Sequence, residues 1–181
     1  SLLGRWNEFE VVGSASDGAE AVRLARRLKP DLVLMDVRME GVGGVEATRQ
    51  ITAAEPHPRI AMLTMSNLGE DVFEALRCGA HGYLSKNETA ERLRESLQGI
   101  MRGEAAMSSS TAAKVLAEFA QPDHPGGSPI GGSERLSRRE RDVLGLLVEG
   151  MSNDEIARTL HLSEATVKKH LGSIMAKLHL R

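Results

Sequence analysis

The sequence predicts a doubly wound α/β domain followed by an all-helical domain, and three observations support this division. Up to about residue 101, short β-rich runs alternate with amphipathic helical patterns, as in a parallel sheet covered on both faces. Residues 121–134, QPDHPGGSPIGGSE, hold three prolines and four glycines and are typical of a linker. Beyond this linker every pattern is helical, so two differently built regions are expected.

The alternating region opens with a helical pattern, SLLGRW, and a predicted strand over 9–15. Predicted helices at 17–28, 44–51, 70–79 and 89–102 then alternate with predicted strands at 31–36, 59–65 and 82–85. The runs at 32–35 and 60–63 are apolar without alternation, as in strands buried on both faces. Lys29-Pro30 and Gly79 are expected to end helices, and another helix is predicted over 112–119.

Composition and charge exclude several classes of protein. Hydrophobic residues at 41% and charged residues at 27% are ordinary globular values. No apolar run approaches the roughly 18 residues of a membrane span, and no signal peptide is visible. The net charge is −4 over 1–135 and +2 over 136–181, which suggests different partners for the two regions. The single Cys78 cannot form an internal disulfide, which fits a reducing cytoplasm.

The helical region carries three signals for the start of a helix. Ser137 with Glu140, and Ser152 with Glu155, match the S-x-x-E pattern of a capping box. Ser163 is expected to cap a third helix with its hydroxyl. These starts leave only about three residues between the second and third helices, which is helix-turn-helix spacing.

The third of these helices, predicted over 164–178, has an apolar side and a basic, hydrogen-bonding side. Its apolar residues recur at helical spacing and are expected in the core: Val167, Leu171, Ile174, Met175 and Leu178. Its polar residues, with the cap before it, are candidates for contact with the DNA major groove: Ser163, Thr166, Lys168, Lys169, His170, Ser173 and Lys177. A solvated basic face is the alternative that the helix alone leaves open.

Asp36 ends the buried run LVLMD and is followed at once by charged residues. A single carboxylate in that position is commonly a helix cap or a solvated strand end. Taken alone, the residue does not distinguish these roles from a chemical one.

The motifs of the two regions resemble those of known families. The stretch LSRRERDVLGLLVEGMSNDEIARTLHLSEATVKKHLGSIMAKL, through LSxRE, EGxSNxEIA and LSxxTVKxH, resembles the output domain of LuxR-type transcription factors. The first region resembles the flavodoxin-like receiver domain of two-component response regulators, and the whole resembles the NarL/FixJ family. The resemblance implies a receiver at 1–106 lacking its first strand, a connecting helix and linker at 107–134, and a LuxR-type helix-turn-helix domain at 135–181.

The resemblance also assigns roles. Asp36 matches the phospho-accepting aspartate at the carboxyl end of a strand, where open α/β sheets place their chemistry. Thr64 resembles the hydroxyl residue that senses the phosphoryl oxygens, Lys86 the lysine that neutralises them, and Tyr83 the aromatic residue whose rotation accompanies activation. In the implied mechanism the carboxylate attacks phosphorus while an ammonium and a hydroxyl stabilise the transferred oxygens.

The implied partners are a cognate sensor histidine kinase, double-stranded DNA and, in the active state, a second copy of the protein; no membrane is implied. Phosphorylation is expected to loosen the receiver from the output domain, so that the recognition helix at 164–178 dimerises on DNA. The sequence starts at Ser1 inside a helical pattern and stops at Arg181 directly after another. We therefore expect a fragment without the family's last output helix, which dimerises on DNA.

Several features depart from the family. The family binds Mg²⁺ through an acidic pair after its first strand, and the sequence contains neither. We therefore expect Mg²⁺ in the complete protein, but in this chain Asp36 should be only part of a metal site, so that it binds no Mg²⁺ and accepts phosphate poorly. The absent strand would lie between the strands at 9–15 and 31–36, so the receiver is expected to be unstable. Glu40 and Gly43 replace the family's proline and acidic residue, and Gly172 stands where a longer side chain could touch a base.

Two other functions agree with parts of the sequence. Glu40 and Gly43 favour a phosphorylation-independent DNA-binding regulator with a degenerate receiver. A phosphatase of the haloacid dehalogenase type also has a nucleophilic aspartate at a strand end, but it needs a second aspartate two residues later as general acid. That position is Arg38, so the sequence predicts a regulator and not an enzyme.

Overall fold

The structure, a computed structural model, describes residues 6–65, 74, 77–120 and 136–179. Its strands are β1 (Leu32–Asp36), β2 (Arg59–Thr64), β3 (Gly82–Ser85) and β4 (Ala106–Met107). Its helices are α1 (Gly18–Leu28), α2 (Gly44–Thr52), α3 (Ala90–Met101), α4 (Ser109–Ala120), α5 (Arg138–Val148), α6 (Asn153–Leu160) and α7 (Glu164–His179). This is the predicted parallel α/β domain followed by helices.

The four strands form one parallel sheet in the order β1-β2-β3-β4. Its register places Asp36 opposite Leu63, and Thr64 opposite Ser85. Because neighbouring parallel strands end at the same edge of the sheet, the residues that end β1, β2 and β3 meet there.

Apolar side chains pack on both faces of the sheet. The apolar run at 60–63 is largely buried, as predicted for a strand covered on both faces, whereas Leu32, Val33 and Leu34 in the run at 32–35 are only half-buried. On one face, Leu97 and Ile100 of α3 pack over Ala61 and Leu84. On the other face the buried residues belong to a larger cluster that includes α1, α2, α4 and the C-terminal helices; among its members are Val22, Ile51, Met62, Val115 and Val143. In addition, α4 packs against both β3 and α5, so it joins the sheet to the helical region.

One predicted strand is wrong. Residues 9–15 form no strand, and Val11 and Val12 are 48% and 52% exposed. A β-rich run forms a strand only where a neighbouring strand supplies hydrogen bonds. Within the described sheet, β1 pairs with β2 alone, so residues 9–15 have no ladder to join.

Three sequence predictions fall mainly on residues outside those described. They are the SLLGRW helix, of which only Trp6 is described and is not helical, the helix over 70–79, and the linker over 121–134. Conversely, β4 was not predicted. It has only two residues, paired with Gly82 and Tyr83, and so short a strand leaves no pattern in a sequence.

The helical region follows its predicted starts. Ser137 and Ser152 each form a complete capping box with Glu140 and Glu155, and Ser163 Oγ accepts from the Thr166 backbone N–H at 3.1 Å. The five apolar residues predicted for the core of α7 are all buried. No helix in the described part of the chain is long and apolar enough to cross a membrane.

Candidate functional site

Asp36 lies at the carboxyl edge of the sheet with its charge paired. Lys86, just after β3, donates from its ammonium to Asp36 Oδ2, and the Arg38 backbone N–H donates to Asp36 Oδ1 at 3.1 Å. The two side chains are 33% and 35% exposed, so the pair is open to solvent and to an incoming anion. The structure thus brings together two residues that lie far apart in the sequence.

Thr64 lies beside this pair. It ends β2, it is buried, and its backbone carbonyl accepts from the Lys86 backbone N–H at 2.9 Å. This hydrogen bond fixes where the lysine leaves the sheet. Asp36, Thr64 and Lys86 therefore lie on three adjacent strand ends, as predicted.

Gly44 is a residue of the site that the sequence did not identify. A Cβ on Gly44 would lie 1.8 Å from the backbone oxygen of Asp36 and 3.1 Å from Met35 Cγ. Helix α2 therefore starts directly against the strand end that carries Asp36, and only glycine fits there. The sequence feature that could have identified Gly44 is its place at the first position of a predicted helix, just beyond the loop after Asp36.

Tyr83 is fully buried in β3, two residues before the strand ends. Burial raises the pKa of Tyr83 well above its usual value, and the neighbouring Cys78 thiol raises it further. Burial likewise raises the pKa of Cys78. In this structure the predicted rotating aromatic ring therefore points into the core.

Among the described residues, this site offers few side chains that could bind a metal ion. Receiver domains generally use Mg²⁺ for phosphorylation, and Mg²⁺ is bound through carboxylates and other oxygens. No group of three or more His, Cys, Asp or Glu side chains that could hold a metal ion occurs in the part of the chain described here. One carboxylate already paired with Lys86 does not fit a magnesium site, so no chemical step is assigned to the metal.

The second candidate site is the exposed side of α7. Lys169 is exposed, His170 is half-buried, and a Cβ added to Gly172 would meet no atom within 4 Å. Ser163 and Thr166 are engaged in the cap, where their hydroxyl oxygens lie 2.8 Å apart. There is therefore open space over Gly172, near the exposed Lys169.

Lys168, also predicted to contact DNA, is held by two carboxylates. Its ammonium lies 2.7 Å from Glu164 Oε1 and 3.1 Å from Glu104 Oε2. Burial lowers the pKa of Lys168, but these two carboxylates together outweigh burial and raise it. Glu104 belongs to the turn between α3 and β4, so the ion pair joins α7 to the α/β domain.

Two further residues predicted to contact DNA, Ser173 and Lys177, contact α5 in this structure. Ser173 Oγ donates to Glu140 Oε1 at 2.7 Å, and the Lys177 ammonium donates to Glu140 Oε2 at 2.6 Å. Although burial alone would raise the pKa of Glu140, the hydrogen bonds from Lys177, Ser173 and Ser137 lower it to about 2. The polar ends of Ser173 and Lys177 thus turn towards α5, because the buried Glu140 carboxylate needs hydrogen-bond partners. The sequence pattern of α7 alone does not show this need.

Comparison with known proteins gives a consistent result for both regions. Residues 1–98 match the model of the response regulator receiver domain, and residues 134–181 match the model of bacterial regulatory proteins of the luxR family. The chain is 39% identical over 171 residues to the transcriptional regulatory protein LiaR of Bacillus subtilis (strain 168), covering 94% of this chain and 79% of that protein.

Two solved structures agree with this result. The response regulator ChrA of a heme-sensing two-component system is 30% identical, with a TM-score of 0.57 over 97% of this chain and 80% of that one. The two-component response regulator RcsB, solved in complex with DNA, is 25% identical, with a TM-score of 0.57 over 98% and 83% of the two chains. The relatives are transcriptional regulators, and response regulators of this kind are phosphorylated by sensor kinases and bind DNA. The chain belongs to the two-component response regulators that carry a receiver domain and a LuxR-type helix-turn-helix DNA-binding domain.

Proposed function

We propose that Asp36 is the residue that accepts the phosphoryl group, with Lys86 and Thr64 beside it. The observation that carries this proposal is the Lys86–Asp36 pair at the carboxyl edge of the sheet. Lys86 already neutralises the nucleophilic carboxylate, and the same ammonium can neutralise a phosphoryl oxygen once the group is transferred. The phosphoryl donor is a cognate sensor histidine kinase.

The output of the regulator is binding of double-stranded DNA by α7 in the cytoplasm. Lys169 and Lys168 neutralise backbone phosphates, while Thr166 and His170 lie on the flank of the same helix. Similarity to a response regulator solved with DNA supports this role. The active form is a homodimer, whose two recognition helices contact two half-sites.

The phosphorylation proposal is tested with Asp36→Asn in the complete protein. A small phosphodonor should drive the wild type towards dimers in analytical ultracentrifugation, and the variant should stay monomeric because its amide cannot form an acyl phosphate. A variant that still dimerises with the donor would place the switch at another residue and favour a receiver that works without phosphorylation of Asp36.

The DNA-binding proposal is tested with Lys169→Ala. Loss of one phosphate contact should weaken binding to a mixed-sequence duplex and lower the slope of log affinity against log salt by about 1. The control is Arg158→Ala on α6, which removes an exposed cation paired with Asp154. Equal losses in both variants would mean that net charge, and not α7, governs the binding.

A further inference from the structure

We propose that Glu104 is a reversible substitute for a DNA phosphate on Lys168, so that the receiver holds the recognition helix through an ion pair that DNA exchanges. This inference rests on the proposed DNA-binding role of α7 and names how that site is regulated. It concerns four charged residues, Arg102, Glu104, Glu164 and Lys168, here termed the four-charge cluster.

The charges of the cluster alternate in sign from Arg102 through Glu104 and Lys168 to Glu164. Arg102 donates to Glu104 from Nε at 3.1 Å and from Nη2 at 3.2 Å. Glu104 Oε2 also faces the Lys168 ammonium, which in turn contacts Glu164 one turn earlier in α7. Lys168 and Glu104 are only 21% and 24% exposed, whereas Arg102 and Glu164 are 57% and 49% exposed. The central contact is therefore the partly desolvated one.

Separation of the two domains would leave no charge in the cluster without a partner. Glu104 keeps its two-point contact with Arg102, and Lys168 keeps Glu164. The cluster divides into two neutral pairs, one on each domain. The central contact can therefore open without stranding an ion, which is the main cost when one partner of an ion pair is removed.

The backbone around Glu104 directs its carboxylate to Lys168. Gly103 has φ +86° and turns the chain after α3, and the Glu104 backbone N–H donates to the Gly99 carbonyl at 2.9 Å. A Cβ on Gly99 would lie 2.8 Å from Glu104 Oε2. The carboxylate thus lies in a space that exists because residue 99 has no side chain.

A second polar contact joins the same two domains. Arg92, in the first turn of α3, donates from Nη2 to the backbone carbonyl of Gly150 at 3.0 Å, and α7 packs against β4. The four-charge cluster is thus one part of the contact between the two domains. Its particular role is to pair Lys168, whose ammonium would otherwise neutralise a DNA phosphate.

The test measures the affinity of the unphosphorylated protein for a fluorescein-labelled mixed-sequence duplex by fluorescence anisotropy. Glu104→Gln should raise the affinity about two- to fivefold at low salt, as expected for loss of one ion pair, and the gain should shrink as salt rises. The control is Glu95→Gln on α3, which removes the same charge from an exposed position. In the Lys168→Ala background, Glu104→Gln should give no more gain than Glu95→Gln.

The inference is overturned if Glu104→Gln and Glu95→Gln act equally in the wild type, or if the specific gain persists without Lys168. Gly99→Ala provides a second route that alters no charge: its methyl group must displace the Glu104 carboxylate, so affinity should rise. Circular dichroism checks that each variant folds. Lys168→Ala and Lys169→Ala separate the two proposals. If neither variant loses affinity for DNA, DNA binding by α7 is contradicted. If they lose affinity but Glu104→Gln gains none, only the ion-pair exchange is contradicted.

Discussion

Two carboxylates of this protein, Asp36 and Glu140, each contact a lysine, but their surroundings are opposite. The Asp36 side chain is 33% exposed and its lysine 35% exposed. The Glu140 side chain is 4% exposed, and it accepts from Ser137, Ser173 and Lys177. Asp36 thus keeps one side open to solvent, while Glu140 has its acceptors occupied.

The difference separates charge pairs that can exchange partners from pairs that hold the fold. A solvent-exposed pair contributes little to stability, so its rearrangement costs little. A buried carboxylate with several donors is costly to disturb, because each donor is left unsatisfied when it is removed. On this basis Asp36–Lys86 is suited to switching, and Glu140 fixes α7 against α5.

The largest effect is expected for Glu140→Ala. Loss of the carboxylate removes a helix cap and the hydrogen bonds that Glu140 accepts from Ser173 and Lys177, at a cost of about 3 kcal/mol in the free energy of unfolding. Urea unfolding followed by circular dichroism measures this change. The control is Glu149→Ala, an exposed residue at the end of α5, where about 0.5 kcal/mol or less is expected. A small effect at Glu140 would remove the contrast with Asp36.

The pH dependence sharpens the same contrast. The pKa of Glu140 falls from 4.5 to about 2 on folding. A carboxyl group with a lowered folded-state pKa stabilises the protein above pH 4.5, and this stabilisation disappears as the pH falls towards about 2. The free energy of unfolding should lose about 3 kcal/mol over that interval. Glu140→Gln should flatten the curve there; an unchanged curve would mean that other carboxylates cause the acid unfolding.

Gly44→Ala is expected to have the next largest effect. The added Cβ would meet the Asp36 backbone oxygen at 1.8 Å, so α2 or β1 must move, at a cost of about 2 kcal/mol. Gly145→Ala in α5 is the matched control, since its Cβ would meet no atom within 4 Å, and it should stabilise by up to about 1 kcal/mol. Urea unfolding distinguishes the two, and equal effects would contradict the close approach at Asp36.

The smallest change in stability is expected for Asp36→Asn. Its exposed ion pair contributes about 0.5 kcal/mol, so the urea midpoint should stay close to that of the wild type. A loss as large as that of Glu140→Ala would mean that Asp36 is structural, and the distinction between exchangeable and fixed pairs would fail.

Local patterns predicted the elements whose signals lie within a few residues. Predictions of this kind that the structure confirms are the capping boxes at Ser137 and Ser152, the apolar side of α7 and the largely buried run at 60–63. The grouping of Asp36, Thr64 and Lys86 came from the resemblance to receiver domains, and it agrees with the rule that parallel strands end at one edge. The strand predicted over 9–15 is wrong because strand formation depends on a neighbouring strand, which the run itself does not specify.

Contacts between helices of the helical region, and between the two domains, could not be predicted. The donors to Glu140 come from α7, and Glu104 meets Lys168 only because the two domains pack together. Side chains on a polar helix face look equivalent in sequence, so the sequence alone does not distinguish the surroundings of Ser173 and Lys177 from those of Lys169. Their difference depends on which helix each side chain faces, which is a tertiary property.

The most direct test of the switch measures the acetylation rates of Lys168 and Lys177 by mass spectrometry in the complete protein, with and without a small phosphodonor. Phosphorylation of Asp36 should free Lys168 from Glu104 and raise its rate, while Lys177 on Glu140 keeps its rate, and Asp36→Asn should abolish the response. Equal responses of the two lysines, or a response that persists in Asp36→Asn, would contradict the distinction between the exchangeable Glu104–Lys168 pair and the fixed Glu140–Lys177 pair.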